Sequence, residues 1–133
     1  MKVYIAGPMR GIKEYNFPAF DYAAKRLRQA GHEAINPAEL DRVVGIHEWT
    51  NPLPEDFMRT AMKRDLIAIC DEAEGMVLLP GWTKSSGVKV EHELADCLGL
   101  TVFFTAEKYP LEVYMTRIIA QMEYTLEPSL SNT

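Results

Sequence analysis

Short apolar segments of strand length alternate along this chain with longer stretches whose apolar residues repeat at helical spacing, and few folds accommodate that alternation. Lys2 to Ala6 reads as a first strand, ended by Gly7-Pro8. Phe17, Phe20, Ala24, Leu27 and Gly31 then recur at helical spacing, with Pro18 suited to the first turn and Gly31 to the stop. His32 to Asn36 reads as a second strand closed by Pro37, and Ala38 to Pro54 as mostly loop with one helical turn. From Glu55 the period returns, and Met58, Met62, Leu66, Ile69 and Ala73 fall within about 80° of arc. Met76 to Leu79 is a third strand and Pro80 to Ser86 a loop. Val90, Leu94, Cys97 and Leu98 share one face of a helix ending at Gly99. Thr101 to Thr105 is a fourth strand, and Pro110 opens a last helix carrying Leu111, Met115, Ile118 and Met122 on one side.

Strand-helix alternation of this kind predicts a three-layer α/β/α domain, flavodoxin- or Rossmann-like, with a mostly parallel sheet of four to five strands. At 133 residues and 47% hydrophobic, the chain suits one such domain over residues 1–127 with a polar tail at 128–133. Ligands of these sheets bind beyond the carboxyl ends of the strands. The segments to search are therefore Gly7 to Tyr15, Asn36 to Leu40, Pro80 to Gly87 and Thr105 to Tyr109.

Several classes are disfavoured. Fourteen basic against nineteen acidic residues leave a net charge of −5, unsuited to a nonspecific grip on a nucleic-acid polymer. No apolar run approaches the roughly 20 residues that cross a bilayer, and the N-terminus has no secretory apolar region, so a cytoplasmic protein without a membrane partner is expected. Cys70 and Cys97 lack the spacing of a redox or metal pair and are read as buried free thiols. His92-Glu93 opens a zinc-protease pattern, but the second ligand position is Asp96, and His32 and His47 have no ligand-spaced partners and read as surface or strand-end residues. No metal and no cofactor are expected. The first loop also lacks the glycine patterns of a dinucleotide fold and of a P-loop.

What remains is chemistry for an anion and a sugar. In Gly7-Pro8-Met9-Arg10-Gly11, an arginine between glycines suits a phosphate, although a turn with a solvated arginine has the same sequence. At Ser85-Ser86-Gly87-Val88-Lys89-Val90-Glu91 a small-residue loop enters a helix, whose N-terminus favours an anion. Glu91 sits about 70° from the centre of that helix's expected apolar face, which fits either an inward carboxylate or an ordinary first-turn acid. Asp65 leans inward on the preceding helix, about 60° from its stripe, and either serves the site or pairs with Arg59 or Arg64. Two inward carboxylates in one cleft suit displacement at a sugar, one attacking and one managing protons. Tyr4 on the first strand is placed to hydrogen-bond the attacking group, or is a plain strand aromatic.

Val3-Tyr4-Ile5-Ala6-Gly7-Pro8-Met9-Arg10-Gly11, Arg64-Asp65-Leu66 and Ser85-x-Gly87-x-x-x-Glu91, in that order, resemble the nucleoside 2-deoxyribosyltransferase superfamily over roughly residues 2–105. The chain is most similar to its 2′-deoxynucleoside 5′-phosphate N-hydrolase branch and to small uncharacterised bacterial and phage proteins of DUF4406-like build. The resemblance implies Glu91 as a nucleophile forming a covalent deoxyribosyl intermediate, Asp65 as proton manager and Tyr4 as the residue that positions Glu91. It implies a 5′-phosphate held by Gly7, Arg10, Gly11, Ser85 and Gly87, Ser85 standing where the transferases carry an aspartate suited to a free 5′-hydroxyl. Pro8 departs from the hydrolase serine and removes a hydroxyl and an N–H from the phosphate loop. Trp82 lies in a loop unlike the hydrolase's, where it either stacks on a base or covers the core. A homodimer or larger homo-oligomer is also implied.

The expected function is cleavage or transfer of the N-glycosidic bond of a small-molecule nucleotide or nucleoside, a deoxyribonucleoside 5′-monophosphate in particular. The alternatives are a noncatalytic nucleotide-binding module of the same fold and an assembly protein that binds no nucleotide.

Overall fold

The structure is a computed structural model that describes residues 1–126. Strands β1 (Lys2–Ala6), β2 (Glu33–Ile35), β3 (Gly75–Leu78) and β4 (Thr101–Phe103) form one sheet in the order β2-β1-β3-β4, with every pair parallel. Helix α1 (Phe17–Gln29) joins β1 to β2, α2 (Pro37–Val43) and α3 (Phe57–Glu72) join β2 to β3, and α4 (Ser86–Cys97) joins β3 to β4. Helix α5 (Leu111–Leu126) follows the last strand. The expected three-layer α/β/α architecture is the one observed. The polar tail at 128–133 lies outside the described residues.

Alternation along the strands decides what each face of the sheet contains. Val3 and Ile5 of β1 and Val77 of β3, with the adjacent Leu79, pack with Phe17, Phe20, Ala24 and Leu27 of α1 and Tyr114, Met115, Ile118 and Met122 of α5. Their neighbours Tyr4, Ala6, Met76 and Leu78 face the other way, onto Ala68 and Ile69 of α3 and Val88 and Ala95 of α4. Tyr4 therefore shares a layer with the helices that carry Asp65 and Glu91. The chain leaves β1 toward β2 on one side and returns to β3 on the other, so the sheet's switch point lies between the carboxyl ends of β1 and β3.

Three expectations are corrected. The stretch read as loop after Asn36 opens with α2, which has two turns rather than one. Asn36 caps it by accepting the Ala38 N–H at 2.9 Å, and Pro37 in the first turn needs no donor. The buried face of α4 is Val88, Glu91 and Ala95, not the Val90, Leu94, Cys97 and Leu98 stripe; Val90, Cys97 and Leu98 are exposed. Cys70 and Cys97 are both free, as expected, but exposed, because they lie on sides of α3 and α4 turned away from the sheet. His32 stands at a strand end as expected and is buried there, while His47 stacks on Trp49 at 4.7 Å. No helix among the described residues is long and apolar enough to cross a membrane.

Candidate functional site

At the switch point the layers separate into a cavity of about 530 Å³. Its floor is the end of β1, its near rim the Gly7–Arg10 loop, and its far rim the segment from Pro80 to Gly87 that enters α4. Gly7 owes its identity to packing: a Cβ there would stand 2.8 Å from the Leu79 Cβ, so only glycine lets the loop lie against the end of β3. Ser85 caps α4, its Oγ accepting the Val88 N–H at 3.2 Å, which leaves the hydroxyl proton for another acceptor. Tyr15 forms part of the wall from an unusual backbone. Glu14, Tyr15 and Asn16 are left-handed in succession, with φ of 57°, 54° and 61°, at a cost of about 1–2 kcal/mol each. The Asn16 amide donates to the Pro8 carbonyl at 2.9 Å and the Tyr15 hydroxyl to the Thr50 carbonyl, and these bonds hold the segment in place.

Tyr4, Asp65 and Glu91 meet at the floor. Glu91 is 7% exposed, and its carboxylate accepts a hydrogen bond from the buried Tyr4 hydroxyl. Asp65 accepts two bonds on one oxygen, from Arg64 Nε at 3.0 Å and Nη2 at 2.8 Å. Burial pushes the Glu91 carboxyl from 4.5 up to about 8; the Tyr4 and Arg64 partners oppose that rise and the nearby Asp65 charge adds to it. Burial raises the Asp65 carboxyl as well, against the pull of Arg64. The Tyr4 phenol rises well above its ordinary value through burial and the charge of Glu91, so it remains a donor.

Seven of the eight residues expected at a site line this one cavity: Tyr4, Gly7, Arg10, Asp65, Ser85, Gly87 and Glu91. Gly11 does not; it is an exposed turn residue with φ of +76°, a conformation that accounts for the glycine without a ligand. Trp82 is not among the lining residues and packs edge-on against Phe104 at 5.2 Å and His92 at 5.8 Å, covering the core. The family model described as "Domain of unknown function (DUF4406)" matches residues 1–104. This chain belongs to the DUF4406 family. The matched span runs from β1 through β4 and includes every lining residue of the cavity, while α5 lies beyond it. No curated protein matches the chain.

Part of this DUF4406 cavity was not legible in the sequence. Ile46, Leu53, Phe57, Met58 and Met62 form an apolar wall, in which the two methionines had the period of a core stripe. Asp41 of α2 also lines the cavity at 2% exposure, and Arg64 stands within 2.8 Å of its Oδ1. That oxygen receives no directed hydrogen bond, so the contact with Arg64 is Coulombic. The available signal was Asn36-Pro37, an N-cap followed by a first-turn proline, which places Asp41 on a helix. Among the described residues no three His, Cys, Asp or Glu side chains cluster as a metal site.

Proposed function

We propose that this DUF4406 protein cleaves or transfers the N-glycosidic bond of a 2′-deoxyribonucleotide, preferring a 5′-monophosphate, through a covalent deoxyribosyl intermediate on Glu91. The observation that carries this reading is the buried Tyr4–Glu91 hydrogen bond beside Asp65, on the floor of a cavity large enough for a nucleotide. The nucleoside 2-deoxyribosyltransferase resemblance supplies the reaction class. Before reaction the Glu91 proton passes to Asp65, and the Tyr4 hydroxyl, which donates to Glu91, stabilises the carboxylate left behind. The Glu91 oxygen then bonds to C1′ as the C1′–N bond breaks, and the departing base nitrogen takes the proton from Asp65. Water attacks C1′ in the second step, its proton going to Asp65 and Glu91 leaving as a carboxylate. A second base in place of water completes transfer. Arg10 and the Ser85 hydroxyl bind the 5′-phosphate at the rim, where α4 begins.

Two observations favour a rival reading, a noncatalytic nucleotide-binding module: Pro8 removes a donor from the rim, and Glu91 holds a proton at neutral pH that a nucleophile must lose. Incubation with dAMP, dGMP, dCMP and dTMP followed by chromatography for free base separates the two. The glycosidase reading expects base release that falls at least about a thousandfold in Glu91→Gln and roughly a hundredfold in Asp65→Asn. Release by Glu91→Gln at the wild-type rate removes the nucleophile, and saturable binding with no free base from the wild type favours the module. The resemblance carries a homodimer or larger assembly with it, and two exposed free thiols suit the cytoplasm.

A further inference from the structure

Arg64 is next to Asp65 in sequence, and consecutive helix positions diverge, so their contact requires the guanidinium to fold back along α3. Its Nε and Nη2 both donate to Asp65 Oδ1, at 3.0 and 2.8 Å. Its Nη2 also stands 2.8 Å from Oδ1 of Asp41, which reaches across from α2 and is almost wholly buried. Nη2 is thus shared between two largely buried carboxylates, one from each helix. An apolar pair would tie α2 to α3 without the desolvation that a buried carboxylate incurs, so the charge has another use.

We propose that Arg64, clamped by Asp41, is a positioning residue that fixes Asp65 beside the Tyr4–Glu91 pair and holds Asp65 ionised in the resting site. This deepens the glycosidase reading and rests on it for its catalytic meaning: a charged Asp65 is the acceptor that frees Glu91 of its proton. Four groups face the Asp65 carboxyl or lie beside it, namely Tyr4 from β1, Asp41 from α2, Arg64 on α3 and Glu91 from α4. Arg64 and the Tyr4 hydroxyl favour the ionised form; Asp41 opposes it. Two substitutions that break one and the same ion pair should therefore move Asp65 in opposite directions.

Carboxyl carbon-13 NMR titration of the full chain tests this with no requirement for turnover. Arg64→Met should raise the Asp65 midpoint by about one pH unit or more, and Asp41→Asn should lower it. Arg64→Lys, which keeps the charge without the fork, should hold the midpoint within about half a unit of wild type. A purely structural tie would reduce thermal stability in all three and leave the Asp65 and Glu91 midpoints in place, which overturns the proposal. If Arg64→Met does not fold, Asp41→Asn decides: an unchanged or raised Asp65 midpoint is fatal. Base release measured in parallel separates the two readings. Shifted midpoints with no base released by the wild type leave the positioning role standing without the glycosidase, and base release with unmoved midpoints does the reverse. Where turnover is seen, the acid limb of its pH profile should follow the Asp65 midpoint.

Discussion

The two faces of the sheet are built from the same strands and differ in how they end. On the α1/α5 side, apolar side chains run from Leu27 to Phe17 without a polar break, α1 and α5 close on each other, and Phe17 and Phe20 give the cavity an apolar wall. On the α3/α4 side, the layer is apolar at Ala68, Ile69 and Ala95 and then, toward the carboxyl ends of the strands, becomes Tyr4, Asp65 and Glu91. One face is filled for stability. The other ends, on the cavity floor, in largely buried acids that share a phenol and a guanidinium. A buried carboxyl that could have been a leucine is the mark of that difference.

The comparison breaks first at Glu91. Its carboxyl is raised on folding, so between about 4.5 and about 8 the folded protein holds a proton that the unfolded chain has released. Stability therefore falls as pH rises through that window, by up to roughly 5 kcal/mol when the full shift is converted at 1.36 kcal/mol per pH unit. Denaturant titrations of wild type and Glu91→Gln should nearly coincide at pH 4 and separate toward pH 9, with the variant the more stable. Parallel curves across the range would show that Glu91 is not desolvated and that the α3/α4 face has no special end.

The packed face should answer to size instead. Leu27 is fully buried between α1 and the sheet, and Leu27→Ala should cost about 3–4 kcal/mol at any pH. Met58, 37% exposed on the cavity wall, has the same apolar character with little to support, and Met58→Ala should cost less than about 1 kcal/mol. Equal costs in chemical denaturation would mean that the Met58 wall is core after all.

The boundary between these faces was only half legible in the sequence. β1, α1 and α5 were found from local signals alone: an apolar run ended by Gly7-Pro8, a proline in the first turn of α1, and one continuous stripe in α5. The inward direction of α4 was missed because periodicity ranks residues by hydrophobicity, and the residue that faces inward there is a glutamate. Its place in the layer depends on Tyr4, 87 positions away in the chain, which no local window contains. Asp65 was found because its neighbours in the stripe, Met62 and Ile69, are apolar. Asp41 was missed with its helix, although Asn36-Pro37 announced the cap, because the segment after it loses its period within two turns. The left-handed run at Glu14, Tyr15 and Asn16 has no sequence signal in glutamate or tyrosine; bonds to Pro8 and Thr50 impose it.

Ser85 separates cap from ligand at the entrance to the cavity. Aspartate caps a helix about as well as serine, so Ser85→Asp should leave stability within about 0.5 kcal/mol of wild type, whereas Ser85→Ala should lose about 1 kcal/mol. The same aspartate adds a negative charge where the proposed phosphate sits and should weaken a 5′-monophosphate relative to the matching nucleoside by about tenfold or more, an effect that shrinks with added salt. Calorimetric binding of dAMP and deoxyadenosine to the two variants reads both terms. If Ser85→Asp is as stable as wild type and binds both ligands in the wild-type ratio, Ser85 is a cap alone and the phosphate lies elsewhere on the rim. If the ratio inverts while stability holds, the hydroxyl serves the ligand and the helix at once, which is how a residue on the border between a packed layer and an open one is expected to behave.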